Sequence, residues 1–103
     1  MSREGRGPEK STVQPLGSGL DQCYSVSIRD SAITEKAGFI FSGSEDCVTV
    51  QSSIASDGEA VVVVCCKKED GHCKECTATL SITVVDQDGE QLVTKRLKLD
   101  CHR

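Results

Sequence analysis

The chain has no Trp and no Asn, only three aromatics (Tyr24, Phe39 and Phe41), and two prolines, Pro8 and Pro15, both near the N-terminus. Each scarcity removes a class of function. Without Asn there is no N-glycosylation acceptor, which leans towards an intracellular protein. Few rings to stack on bases, together with a net charge of −4, argue against nucleic-acid binding. The basic runs are Lys67-Lys68 and Lys95-Arg96-Leu97-Lys98, and the second alternates with apolar positions as the wet face of a strand does. No run approaches the ~18 apolar residues of a membrane-spanning helix, so no membrane partner is expected. The N-terminus also lacks the ~7–15-residue apolar core of a signal peptide. The expected location is therefore cytoplasmic, or secreted if a leader has been removed.

A chain of 103 residues suits one domain. From Ser2 to about Gly19 both prolines, four glycines and scattered charges occur without any apolar period that could offset the entropy of ordering. Residues 1–19 are expected to be a disordered tail and 20–103 a single all-β domain. Small domains with thin cores often recruit a metal or disulfides.

Short Val-, Ile- and Thr-rich runs broken by Gly, Asp and Ser clusters predict strands. Tyr24, Val26 and Ile28 alternate with polar residues in 22–29. Residues 30–38 fit either one helical turn or a loop. Phe39-Ile40-Phe41 is a short strand, and 47–54 is another, with Val48, Val50 and Ile54 expected on one side. Ala60 to Cys66 is apolar on both faces and is expected in the buried middle of a sheet. Cys76 to Val85 points Cys76, Ala78, Leu80, Ile82 and Val84 inward. After an Asp88-Gly89 hairpin turn, the return strand points Val93, Leu97, Leu99 and Cys101 inward. Some six to seven antiparallel strands, in meander-like order and without a helix, predict a small β-sandwich or a partly open barrel.

Seven cysteines are the positive chemical signal. A two-residue turn at Asp88-Gly89 sets Leu80 opposite Leu97, Ala78 opposite Leu99 and Cys76 opposite Cys101; a four-residue turn also keeps the faces matched and places Cys101 two residues beyond that pairing. A three-residue turn is rejected, because it would pair apolar with charged positions. The 67–74 connection then brings Cys65 or Cys66 beside Cys76, so that Cys66, Cys73, Cys76 and Cys101 gather at one corner with His72 and His102 nearby. Cys73-Lys74-Glu75-Cys76 has a two-residue spacer that lets both sulfurs reach one ion. The leading expectation is a zinc thiolate site of Cys66, Cys73, Cys76 and Cys101, with Cys65 or His102 as substitute ligands. Lys67, Lys68 and Lys74 would favour the thiolates.

The rival is disulfide bonding, with Cys76 to Cys101, Cys66 to Cys73, or Cys23 to Cys47, the last two cysteines being set apart on wetter faces. Plain reduced core cysteines are a third state. No Ser/His/Asp arrangement, paired acids or phosphate-cradling loop stands out, so no enzyme is expected. The function expected is a non-catalytic module that binds another protein through a sheet face or edge. The alternatives are a secreted, disulfide-stapled binding or effector domain and, more weakly, a thiol redox protein using Cys73 and Cys76.

Overall fold

Alternation of apolar and polar side chains along 22–29, 76–85 and 91–101, with the all-apolar run 60–66 between them, favours two sheets, each with one dry face. A computed structural model describes residues 10–16, 22–43 and 46–102. The first sheet contains β1 (Lys10–Leu16), β2 (Cys23–Arg29), β4 (Val48–Ser56) and β5 (Glu59–Cys66), ordered β1-β2-β5-β4. The second contains β3 (Gly38–Ser42), β8 (Cys76–Val85) and β9 (Gln91–Cys101), ordered β3-β8-β9. A small hairpin, β6 (Lys68–Glu69) with β7 (His72–Cys73), fills the connection between them. Every pairing is antiparallel. The six strands expected from pattern are all present; β1, β6 and β7 are additions.

The two inner faces merge into one core. Val26 and Ile28 of β2, Val62 and Val64 of β5, and Leu80, Ile82 and Val84 of β8 belong to it, with Leu97 and Leu99 of β9. The double-apolar strand β5 does lie inside its sheet, between β2 and β4. Its outward residues Val61 and Val63 are only partly buried, however. The strand order is not a meander: β3 leaves β2 to pair with β8, and β5 returns to pair with β2. Four strands facing three in this order match constant-type immunoglobulin sandwiches, although the Trp of that fold is absent here.

Residues 1–9 and 17–19 of the expected tail lie outside the described residues. Lys10–Leu16, between them, pairs along β2 as an edge strand. Pairing there needs only backbone groups, and an edge accepts Pro15 because the missing N–H can face away from the ladder. Residues 30–37 are turns rather than a helix. Ile33, almost fully buried among them, plugs the core, and its carbonyl accepts the Gly58 N–H at 2.7 Å.

Two register details differ from the simple pattern. In β4 a bulge between Val50 and Ser52 inserts one residue, so Ile54, expected beside Val48 and Val50, faces out and is 63% exposed. At the β8–β9 hairpin the loop has three residues, Gln87-Asp88-Gly89, closed by Asp86 N–H to Glu90 carbonyl and Gly89 N–H to Asp86 carbonyl, both 2.9 Å. The three-residue loop that simple pairing excludes is thus the one the chain forms. A second irregularity between Val84 and Val85 restores Leu80 opposite Leu97 and Cys76 opposite Cys101, so the apolar faces still match.

Gly43 and Gly89 both have positive φ, at 89° and 85°. A Cβ at Gly43 would collide with the Thr79 carbonyl oxygen, whereas one at Gly89 meets nothing within 4 Å. Gly89→Ala should therefore cost about 1 kcal/mol, for backbone conformation alone. Gly43→Ala should cost more, on the order of 2–3 kcal/mol. Urea unfolding of the two variants checks the order; equal losses would contradict the close approach of Gly43 to β8.

Candidate functional site: a sulfur-rich corner

Antiparallel order brings the start of β2, the start of β4, the end of β5, the start of β8 and the end of β9 to the same end of the sandwich. Each of these strand ends carries a cysteine. Consecutive residues of a strand point to opposite faces. The adjacent Cys65 and Cys66 are therefore split between two environments. Cys65 points out of the first sheet and stands directly opposite Cys23 on β2, with the two sulfurs at bonding distance, 2.12 Å. Cys66 points into the core and meets Cys101 of the second sheet, with sulfurs 1.95 Å apart.

A third pair, Cys47 with Cys76, also has its sulfurs at bonding distance and joins the two sheets. Cys47 sits in the turn before β4, where strand alternation does not hold, and both it and the next residue, Val48, are buried. It was expected on a wet face beside Cys23; the turn reverses that. Cys76 and Cys101 are opposite each other on β8 and β9, as the hairpin predicts, yet each sulfur reaches across to the other sheet instead.

Of the expected zinc set, Cys76 and Cys101 come together with Cys47, and Cys66 is bonded to Cys101 but lies outside that close group. The sulfurs of Cys47, Cys76 and Cys101 all lie within 4.8 Å of one another, with 3.9 Å between Cys47 and Cys101. Cys73 is not part of this sulfur group. It is buried in β7, 3% exposed, where Lys68 is its strand partner. The two-residue spacer to Cys76 was the misleading signal, because the 74–75 connection carries the chain from the small hairpin to β8 and separates the two sulfurs. A sulfur bonded to another sulfur is no thiolate, so in this paired state the corner supplies no zinc ligands.

The corner is further closed by a side chain with no motif to announce it. Gln22, just before β2, donates its Nε2–H to the His102 carbonyl at 2.5 Å and accepts the His102 N–H on Oε1 at 3.0 Å. Its own carbonyl accepts the Cys66 N–H at 2.8 Å. One residue thus ties the ends of β5 and β9 to the start of β2. The rings of His72 and His102 are exposed to solvent. Outside the first sheet, the Cys23–Cys65 pair lies in an open cleft of about 510 Å³, where Lys67, Lys68, Thr49 and Gln51 also contribute to the walls.

The arrangement defines a cysteine-rich β-sandwich whose sheets are joined through sulfur at one end. No family model, no curated protein and no solved structure matches the chain.

Peptide mapping of the air-oxidised protein should find Cys23–Cys65, Cys47–Cys76 and Cys66–Cys101, and titration after denaturation should find about one thiol per chain, that of Cys73. A Cys73 cross-link to Cys66 or Cys76 would contradict the corner geometry. Replacing Cys66 and Cys101 together by Ala should lower unfolding free energy by roughly 2–5 kcal/mol, measured without reductant.

Proposed function

We propose that the protein is a non-catalytic β-sandwich module, stapled by disulfides, that binds another protein in an oxidising compartment. The carrying observation is that six of the seven cysteines stand at bonding distance in three pairs, two of them between sheets. Such frameworks persist where thiols are not kept reduced, in secreted, lumenal or periplasmic settings. This supports the secreted alternative over the cytoplasmic expectation.

The face offered to a partner is the outer side of the first sheet. Ile54, turned outward by the β4 bulge, stands opposite the partly buried Val61, and Val63 follows opposite Ser52. Ser25 and Ser27 of β2 border this apolar strip on the other side, since they pair with Val63 and Val61. An apolar centre with a polar margin is the usual composition of a protein-binding patch. The strand order shared with immunoglobulin sandwiches is compatible with such a role, as an analogy of fold only.

Two measurements test the reading. The melting temperature of the oxidised protein should drop steeply on adding a dithiol and stay unchanged with a strong chelator; the opposite pattern would remove the disulfide basis of the proposal. On an array of secreted and cell-surface proteins, saturable binding to a partner should weaken at least ~10-fold in Ile54→Asp with the fold intact, as expected for a central apolar contact. Binding that ignores this substitution would reject the face.

A further inference from the structure

We propose that, once the two inter-sheet disulfides are reduced, the corner binds one divalent zinc ion through the thiolates of Cys47, Cys66, Cys76 and Cys101. The inference goes beyond the oxidised module and does not depend on what partner that module binds. Its ligand set also differs from the one expected from spacing, with Cys47 in the place of Cys73.

A tetrahedral zinc tetrathiolate with Zn–S bonds of ~2.3 Å has sulfur–sulfur edges of ~3.8 Å. The Cys47 and Cys101 sulfurs already stand at 3.9 Å, and Cys76 lies within 4.8 Å of both. Cys66, bonded to Cys101, stands outside that group of mutually close sulfurs, and completes the set by turning towards the other three once its bond is broken. Breaking the two S–S bonds lets each bonded pair spread towards the tetrahedral edge by side-chain torsion, with the strand ladders left in place. Two ligands come from each sheet: Cys47 and Cys66 from the β4 and β5 ends, Cys76 and Cys101 from the β8 and β9 ends. The zinc centre would therefore replace the covalent inter-sheet link with a coordinate one at the same place.

Burial and charge agree with this. Cys47, Cys66 and Cys101 are buried, which keeps competing water away. Four thiolates around Zn²⁺ leave excess negative charge, and Lys74 Nζ, hydrogen-bonded to the Asp46 carbonyl at 3.4 Å, is positioned beside Cys47 to offset part of it. The third pair, Cys23–Cys65, lies on the outer face of its sheet and contributes no ligand.

The chemistry balances with a dithiol as reductant. Each dithiol gives two electrons and two protons to one protein disulfide and leaves as a cyclic disulfide. The four thiols so formed then lose four protons to solvent as zinc binds, so uptake is accompanied by acidification.

The test uses the full chain, reduced anaerobically with a water-soluble phosphine that is removed before metal is added. Cobalt(II) is the probe, because a tetrahedral tetrathiolate site gives intense visible absorption together with thiolate-to-cobalt charge transfer. We expect about one cobalt per chain with that spectrum, displaced by an equal amount of zinc. The spectrum should persist in Cys73→Ser and in the double variant Cys23→Ser/Cys65→Ser. In Cys47→Ser cobalt affinity should fall ~10-fold or more and the tetrathiolate bands should be lost. Cys47→His, which keeps a fourth ligand, should fold with metal and show shifted bands, so the assignment remains testable if the serine variant does not fold. No tetrahedral spectrum in the reduced wild type, loss of it in Cys73→Ser, or an unshifted spectrum in Cys47→His would each overturn the site. These results are read on reduced protein. The disulfide map of oxidised protein fails or stands separately.

Discussion

Two sulfur links between the sheets are the constraint on which the rest of this small sandwich depends. The core is built from Val, Ile, Leu and Ala with Cys47, Cys66, Cys73 and Cys101, and aromatic rings stand only at its margin, where Phe39, Phe41 and Tyr24 are partly buried. Small aliphatic side chains bury less area each than rings do, and a domain of this size has little surplus of burial to set against chain entropy. Joining Cys66 to Cys101 and Cys47 to Cys76 removes unfolded-state freedom at the end where five strand ends converge and side chains are short. At the opposite end, where turns rather than sulfur close the sandwich, the large buried side chain of Ile33 serves instead.

The placement of those sulfurs follows from strand parity. Because neighbouring residues face opposite ways, Cys65 and Cys66 cannot share one job in a regular strand. One braces β2 against β5 on the outside, and the other crosses the core. The same parity explains the exposed Ile54. A single inserted residue in β4 moves everything after it to the other face, so the side chain that pattern alone assigns to the core joins the outer apolar strip at the sheet's edge.

The hairpin between β8 and β9 shows how a local misreading can leave a correct register. Asp88-Gly89 announces a turn, and Gly89 does take the left-handed conformation such a turn needs. The loop nevertheless has three residues rather than two, and the irregularity at Val84–Val85 takes up the difference. The pairing of Leu80 with Leu97 and Ala78 with Leu99 survived because burying both apolar faces is worth more than regular pairing at the hairpin tip.

From the amino-acid order alone came the all-β class, six of the strands, the inward residues of β2, β8 and β9, and a gathering of cysteines at one end. All of these depend on a period of two and on nearest hairpins, which are local properties. Tertiary structure decided which sulfurs meet. Cys47 enters the corner because its turn lies at the start of β4, and β4 pairs with β5; Cys73 stays out because β6 and β7 close on themselves. Those outcomes depend on contacts between residues 29 and 35 positions apart, and on a bulge that no composition announces, so they became determined only when two sheets packed face to face.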